Sequence, residues 1–281
     1  MSVVRSLGTL SVALFAVGLG VSTVWGQPAP VTLQIRPKAG DTLRLRMDQT
    51  VEMAGTTRNG EVDVTTSELH TMVVLTRIAV EETDLDGATV TAITDTVRLT
   101  SSDGNVGGSL LAWARVMQGQ RVQFRVAIDG TTSLMGENAA TASQAANFLA
   151  QLPASLPRER IAPGASWSRS MEIPMSAMSA GRGTATMTAL FHFDSLSHGG
   201  DLAFLSVRGR LTRQTGPPKG SIAPAVEMSG TMVGSVVVDR RRGWITDARS
   251  EISVRSLLTP SNADRSPIRV RLKITQWMRA Q

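Results

Sequence analysis

Residues 41–53 read DTLRLRMDQTVEM. Apolar and polar side chains alternate along this stretch, and between Leu43 and Met53 the only polar residue on the apolar parity is Gln49. The apolar parity holds Leu43, Leu45, Met47, Val51 and Met53. Alternation with a period of two predicts a β-strand that has one face in a core and the other in water.

The same alternation returns along most of the chain. It occurs in residues 122–128, 167–175, 187–193, 203–211, 228–238, 244–254 and 268–278, and residues 89–99 after the Asp86-Gly87 turn are predicted as a further strand. Residues 72–75 are apolar on both parities, which predicts a segment covered on both faces. One-sided alternation favours antiparallel pairing, and Asp86-Gly87 and Asp129-Gly130 are turn signals. The sequence therefore predicts a mainly β fold, with long antiparallel strands in a curved sheet, half-barrel or sandwich and one or two short helices packed on it.

Three consecutive arginines stand in VVVDRRRGWITDAR, residues 236–249. Alternating residues flank them, and Gly243 can take a positive φ, so we predict a hairpin tip with solvated arginines that have no partner. The net charge is +6, but only Lys38, Lys219 and Lys273 are lysines, and aromatic residues make up 4%. Dispersed arginines with few aromatics are not a nucleic-acid footprint, so no nucleic-acid partner is expected.

The N-terminus has the form of a secretory signal peptide. Arg5 precedes an uncharged apolar run, and small residues precede a cleavage point before Gln27, so we predict that residues 1–26 direct export. The alternative is an uncleaved anchor helix, which the many Gly, Ser and Thr residues disfavour. The expected location is periplasmic or extracellular, with no transmembrane span after cleavage. The absence of cysteine excludes disulfides, thiolate zinc sites and a lipobox.

Helical patterns are few. One covers residues 109–118 with Ser109 as cap, and another covers 138–152 with Asn138 as cap. A proline-punctuated stretch follows the second helix. We therefore divide the exported chain into a β-rich half at 27–136, a helix and Pro-rich connection at 137–163, and a second β-rich half at 164–281. Weak likeness between the halves suggests an internal duplication.

Motifs for catalysis are missing or incomplete. HFDSLSH at 192–198 offers His192, Asp194 and His198 as metal ligands, but His198 falls in a turn, which favours an exposed hairpin end over a metal site. No G-x-S-x-G or S-x-x-K motif is present, and DGNVGGS at 103–109 lacks the G-K-[ST] ending of a phosphate loop. We therefore assign no catalytic, metal or cofactor-binding residue, and expect a protein without cofactors that is not an enzyme.

Apolar residues are abundant in this sequence, although no catalytic cluster is found. Many of the thirteen methionines lie on the apolar parity, where thioethers suit an irregular core or an adaptable binding surface. If a ligand occupies a concave sheet, the aromatic residues are the candidates for its lining. They are Trp113, Phe124, Phe148, Phe191, Phe193 and Trp244.

Two resemblances accompany these patterns. The LP…LP…PGASW segment at 152–167 and the V-x-V-D-x-x-x-G-x-I hairpin at 236–245 resemble exported bacterial β-rich families that carry only a domain-of-unknown-function label. The long strands, the hairpin and the scarcity of helices are more distantly similar to the periplasmic lipoprotein carriers. That likeness implies a curved antiparallel sheet that holds acyl chains under helices, and it transfers no site residue.

Three functional hypotheses follow. The first is an exported, non-enzymatic β-rich protein that binds an apolar or amphipathic ligand in a concave sheet. The second is a structural or interaction module of the cell envelope, with an envelope protein as partner. The third is a metal-dependent hydrolase that uses His192 and Asp194.

Overall fold

The computed structural model describes seven stretches of the chain, residues 29–59, 62–104, 106–135, 156–174, 184–215, 225–260 and 266–281. The predicted signal peptide, the predicted helix at 138–152 and Phe148 lie outside the described residues. The signal peptide, the second helix and the division into halves therefore stay predictions.

The described residues form one sheet of eleven strands and one helix. The strands are β1 (Thr42–Asn59), β2 (Val62–Thr83), β3 (Gly87–Ser101), β4 (Arg121–Ala127), β5 (Thr132–Leu134), β6 (Ser166–Pro174), β7 (Thr184–Leu196), β8 (Leu202–Thr215), β9 (Ala225–Asp239), β10 (Trp244–Thr259) and β11 (Ile268–Ala280). Helix α1 (Gly108–Met117) connects β3 and β4. All neighbouring strands are antiparallel. The predicted fold class is confirmed.

The first and last strands meet at the centre of the sheet. The strand order is β5-β4-β3-β2-β1-β11-β10-β9-β8-β7-β6. Consecutive strands pair from β1 to β5 and from β6 to β11, and the β1–β11 contact joins these two runs. Among the described residues, the edge strands β5 and β6 do not pair with each other, so the sheet is open. Strands from both predicted halves thus lie side by side in one sheet.

The registers place the apolar parities of adjacent strands on one face, here called the inner face. Met47 lies opposite Val74 on β2 and opposite Met278 on β11. All three side chains are buried, while Arg46 and Asp48 between them point to the outer face. The main core cluster runs over this inner face from Phe124 on β4 to Phe193 on β7.

Residues 29–40, here called the strap, cross one end of the sheet. The Ile35 N–H donates to the Ile128 carbonyl and the Arg36 N–H donates to the Gly243 carbonyl, both at 2.8 Å. In a flat sheet those two acceptors would be about 25 Å apart, because five strand spacings of ~4.8 Å separate them. Consecutive strap residues reach both, so the sheet is strongly curved and its inner face is concave.

The strap also fills the end that it crosses, here called the strap end. Leu33 and Ile35 are almost completely buried in the main core. Val31 forms an antiparallel bridge with Ile161, which lies in the segment that leads from the β5 side to the β6 side. The opposite end, where β1 connects to β2 and β10 to β11, is here called the far end.

Bulges and glycines allow the curvature. Three of the four register shifts lie toward the strap end, at Val80/Glu82, Phe193/Ser195 and Ile245/Asp247. Bulges increase local twist and bending. On the inner face of β8 and β9, a Cβ at Gly230 would lie 2.6 Å from the Ser253 carbonyl oxygen, and one at Gly234 would overlap the Arg249 carbonyl oxygen. Only glycine therefore lets β9 approach β10 so closely.

The hairpin predicted at 236–249 is confirmed, since β9 ends at Asp239 and β10 begins at Trp244. Gly243 has a φ of 64°, and a Cβ there would overlap the Arg36 carbonyl of the strap. The expectation that its arginines lack partners is wrong. Arg240 donates to the Gly200 carbonyl, because β8 pairs with β9 and brings the β7–β8 turn alongside.

Helix α1 packs on the inner face, as predicted for a short helix. Ala114 and Met117 are buried, and Trp113 packs against the core. The predicted Ser109 cap is wrong, because Gly107 occupies the N-cap position without a side-chain hydrogen bond. No helix among the described residues has the length and apolar character needed to cross a membrane.

The two-sided cover expected for residues 72–75 is only partial. Met72 and Val74 are buried on the inner face, but Val73 and Leu75 on the outer face are half-buried. Outer-face side chains of neighbouring strands supply this incomplete cover.

We predict that Gly234→Ala lowers the free energy of unfolding by about 1–3 kcal/mol, the usual effect of forcing extra atoms into a packed site. The physical reason is the overlap of the new methyl group with the backbone of β10. Urea unfolding followed by circular dichroism measures the change.

Gly55→Ala is the matched control, because it also lies on the inner face of a strand. Its nearest neighbour would be the Thr66 hydroxyl at 3.6 Å, an ordinary contact. A stability loss at Gly55 as large as at Gly234 would contradict the assignment of Gly234 to strand curvature.

Candidate binding surface on the inner face

The far half of the inner face keeps apolar side chains partly exposed on the three central strands. These residues form the apolar floor, which consists of Val51, Met53, Ile252, Leu258, Val270, Leu272 and Ile274. The register makes the floor continuous, because Ile274 lies opposite both Val51 and Ile252. Closer to the strap end, the corresponding positions Leu45, Met278 and Val236 are buried.

A row of polar side chains crosses the central strands between the floor and the buried residues Leu45 and Met278. The floor is continuous with the main core on β10, because Val254 is buried there and Ile252 and Leu272 pack against the core. Gln276 on β11 lies opposite both Gln49 on β1 and Ser250 on β10, all on the inner face. The Gln276 amide Nε2 donates to the Met47 Sδ at 2.9 Å, and a thioether is a weak acceptor. We call Gln49, Gln276 and Ser250 the polar row.

Gln49 is the most constrained member of the polar row. Its exposed fraction is 8%, and its amide has no hydrogen bond to the described residues. The amide is not among the fully buried side-chain groups that lack a partner, so it keeps contact with solvent, and water or a ligand can bond to it. The polar row therefore offers donors and acceptors beside an apolar surface.

Ionisable side chains border the floor on the β2 side. His70 lies opposite Val51, and Glu68 lies opposite Met53. The His70 Nε2 is 3.3 Å from the Glu68 Oε2, while the His70 Nδ1 is buried without a partner among the described residues. The floor thus has an apolar centre and a polar margin, an arrangement suited to an amphipathic molecule.

The predicted lining residues lie in different surroundings. Phe191 and Phe193 are fully buried, and Trp167 stacks on Phe191 with ring centroids 5.5 Å apart. Phe124 and Trp244 belong to the same buried cluster. Trp113 is half-buried and packs against Met47 and Met72, which border Gln49. Of the described candidates, Trp113 is the one beside the polar row, and the lining of a ligand stays a prediction.

The polar row was absent from the sequence-based candidates. Gln49 and Gln276 both interrupt an apolar parity, which is the signal that identifies them. Their alignment depends on the β1–β11 register, which joins residues more than 220 positions apart and has no local signature.

The outer face of the central strands carries ion pairs and hydrogen bonds. Trp277 lies between two guanidinium groups, with Arg279 4.0 Å and Arg249 4.4 Å from its ring centroid. Its indole N–H donates to Asp247 at 2.8 Å. Arg46 donates to both carboxylate oxygens of Asp48 and holds the pKa of Asp48 below its ordinary value of 3.8. Arg279, 3.8 Å from Asp48, acts in the same direction.

The HFDSLSH segment also lies on or beside the outer face. His192 Nδ1 is hydrogen-bonded to the Ser166 hydroxyl at 2.8 Å, and His192 Nε2 is 3.9 Å from Asp194 Oδ1. His198 is exposed in the turn, as expected. The described residues contain no group of three His, Asp or Glu side chains that could hold a metal ion. Because Ser166 lies directly opposite His192 in the register, ordinary cross-strand pairing accounts for this contact.

We predict that Asp48→Asn lowers the free energy of unfolding at neutral pH by about 1 kcal/mol or less, as for a partly exposed ion pair. The folded-state pKa of Asp48 is depressed, so its stabilisation is present above the unfolded pKa and is lost as pH falls through the folded pKa. The stability difference from wild type should therefore shrink toward zero in acid. Urea unfolding at a series of pH values measures it.

Glu52→Gln is the control for this titration. Glu52 is an exposed outer-face residue of the same strand, for which the described residues show no ion pair. A difference for Asp48→Asn that stays constant through the acid range would contradict the role of the charged pair.

Comparisons with known proteins leave the family open. No protein-family model matches the chain, and no curated protein matches it. Among solved structures, lipovitellin, studied for its lipid–protein interactions, is 11% identical over 87% of this chain and 25% of its own, with a TM-score of 0.48. This chain thus spans about a quarter of the lipovitellin chain. An outer membrane channel of Pseudomonas putida F1 is 8% identical over 90% of this chain and 99% of its own, with a TM-score of 0.21. A protein described as exported, with a YmcC-like fold, from Bacteroides fragilis is 10% identical over 86% of this chain and 98% of its own, with a TM-score of 0.15.

Proposed function

We propose that this protein is an exported, non-enzymatic carrier that binds one amphipathic molecule on its inner face. The apolar part of the ligand lies on the apolar floor, and a hydrogen-bonding group of the ligand reaches the polar row. The observation that carries the proposal is Gln49, 8% exposed and without a protein partner among the described residues, beside partly exposed apolar side chains. Export is inferred from the form of residues 1–26.

Two free-energy terms favour such a ligand. Apolar area removed from water contributes roughly 25 cal/mol per Å², so a chain that covers the floor stabilises the complex. A hydrogen bond between the ligand and Gln49 replaces a contact of its amide with water and contributes roughly 1 kcal/mol. A pure hydrocarbon supplies only the first term, and a small polar solute supplies only the second.

The side chains at the site suit a ligand with a variable apolar part. Met53 lies on the floor, and Met47 and Met72 flank Gln49 on β1 and β2. Unbranched thioethers adopt many rotamers and adjust to irregular shapes. We therefore favour a class of chain-bearing molecules, such as fatty acids or lysolipids, over one rigid compound.

The decisive experiment starts with protein purified from the exported fraction. Organic extraction followed by mass spectrometry should recover an amphiphile, and the delipidated protein should bind a fluorescent long-chain fatty acid. Recovery of no amphiphile, together with no binding of the probe, would count against the carrier. Conversion of an added ester probe to its hydrolysis products would favour the hydrolase that His192 and Asp194 suggest.

We predict that Ile274→Glu weakens binding of the fluorescent fatty acid more than about tenfold, because a charge on the floor must lose its hydration when the chain covers it. Equilibrium titration measures the dissociation constant. Leu190→Glu is the control, since Leu190 is 50% exposed on the outer face of β7 and its substitution should leave binding unchanged. Equal losses in the two variants would show that the floor is not the binding surface.

We predict that Gln49→Leu changes selectivity more than overall affinity. Binding of the fatty acid should weaken by roughly five- to tenfold, as expected for one lost hydrogen bond, while binding of an uncharged alkyl dye should hold or improve. Competition titration of both probes measures the ratio. An unchanged ratio would refute a polar contact at Gln49.

A second candidate is the interaction module of the cell envelope. The outer face of β7–β9 exposes three large apolar side chains, Leu190 at 50%, Phe204 at 37% and Val233 at 52%. Such a surface suits a protein contact. Crosslinking in cells that recovers one stable partner, and loses it in Leu190→Glu, would favour this candidate over the carrier.

A further inference from the structure

Like charges face each other on the outer face near the far end. Arg255 on β10 lies directly opposite Arg271 on β11, and Arg269 lies two residues from Arg271 on the same face. Directly opposed like charges destabilise a sheet. All three arginines are exposed, and none has an ion pair among the described residues. We call these three residues the basic patch.

The other directly opposed arginine pairs of the outer face differ from Arg255 and Arg271. Arg44 lies opposite Arg77, which pairs with Asp95 at 2.8 Å, and Arg46 lies opposite Arg279, with Asp48 near both. Exposed arginines without an ion pair occur elsewhere on the outer face of the described residues, as at Arg98, Arg208 and Arg210, but none of these lies opposite another arginine.

Few acids lie near the basic patch. Lys273, next to it, pairs with Glu251 at 3.2 Å. Glu227 on β9 lies opposite Leu257, and Glu52 on β1 lies opposite Lys273. The basic patch is therefore the place where two arginines face each other and neither has an acidic partner among the described residues.

Exposed apolar side chains occur at the same end of the sheet. Val62 and Val64 on β2 are 66% and 44% exposed, and Ile268 on β11 is 37% exposed. Ile268 lies opposite Leu258 of the apolar floor and precedes Arg269. The far end therefore combines exposed apolar side chains near the ends of strands, here called the apolar tips, with the arginines of the basic patch, which have no ion pair among the described residues.

We propose that the far end docks on an anionic membrane surface. The guanidinium groups of the basic patch contact lipid phosphates, for which their planar fork is well matched. Val62, Val64 and Ile268 enter the boundary between head groups and acyl chains. Apolar side chains beside basic ones are the composition of an interfacial anchor, and an acidic protein surface would leave the apolar tips unused.

Docking at this end would turn the far half of the inner face toward the bilayer, because the floor and the exposed side chains of Val62, Val64 and Ile268 share the inner face of adjacent strands. An amphipathic ligand could then pass between membrane and floor with little exposure to water. The docking surface itself does not depend on ligand binding, so each can be tested without the other.

The test is flotation of the purified, ligand-free protein with vesicles. The protein should float with vesicles of equal parts phosphatidylcholine and phosphatidylglycerol, and should stay unbound with pure phosphatidylcholine. Binding should weaken at high salt, where the Debye length falls to about 3 Å. Replacement of Arg255, Arg269 and Arg271 by Gln should weaken it roughly 100-fold, since each arginine contributes about fivefold near such a surface.

A matched triple variant separates the patch from net charge. Arg44, Arg98 and Arg241 are exposed, lie away from the far end and have no ion pair among the described residues, so Arg→Gln at these three positions should leave flotation unchanged. Thermal unfolding checks folding, and the patch variant should melt no earlier than wild type because it removes an opposed charge pair. Failure of wild type to float, or equal losses in both triple variants, would overturn the proposal. Flotation of wild type with fatty acid binding absent would retain the docking surface and reject the carrier.

Discussion

One apolar face on one sheet is the constraint from which this structure follows. A sheet whose side chains alternate between apolar and polar has to cover its apolar face. The described residues supply one short helix, α1, far too small to cover eleven strands. The sheet instead curls, and Phe124 of β4 and Phe193 of β7 belong to a single core that includes Leu33 and Ile35 of the strap. Gly230 and Gly234 permit the bend, and the strap holds it by bonding to Ile128 and Gly243 with consecutive residues.

The curvature of the sheet buries the strap end of the inner face more completely than the far end. At the strap end, Leu33 and Ile35 complete the core. Beyond the polar row, the floor side chains stay partly exposed, although they continue the same parity on the same strands. A sequence selected only for stability would have no reason to place Gln49 and Gln276 on that parity, because an apolar side chain would remove more apolar surface from water there. The polar row is therefore better explained by something that the inner face holds than by packing.

Much of this architecture could be predicted from local patterns. Alternation such as that of residues 41–53 identified the strands, and Asp239 with Gly243 identified a hairpin, because both features depend on neighbouring residues. The contacts that define the candidate site depend on distant ones. Gln49 meets Gln276 only through the β1–β11 pairing, and Arg240 meets Gly200 only because β8 lies beside β9. The aromatic candidates illustrate the limit, since a large apolar side chain suits a core and a ligand site equally, and Phe191 is in the core whereas Trp113 reaches the polar row.

The outer face and the inner face both carry energetically unfavourable features toward the far end of the sheet. At the strap half of the outer face, several charges have partners, as in the Arg46–Asp48 pair and the contacts of Arg249 and Arg279 with Trp277. Toward the far end, Arg255 faces Arg271 without a carboxylate between them, and on the inner face Ile268 and Val64 stay in water. Each feature is unfavourable in the isolated protein, but for a different reason. The opposed arginines lack a negative charge between them, and the exposed apolar side chains lack an apolar neighbour. An anionic bilayer surface supplies both, which is why their coincidence at one end points to a membrane more strongly than either feature alone.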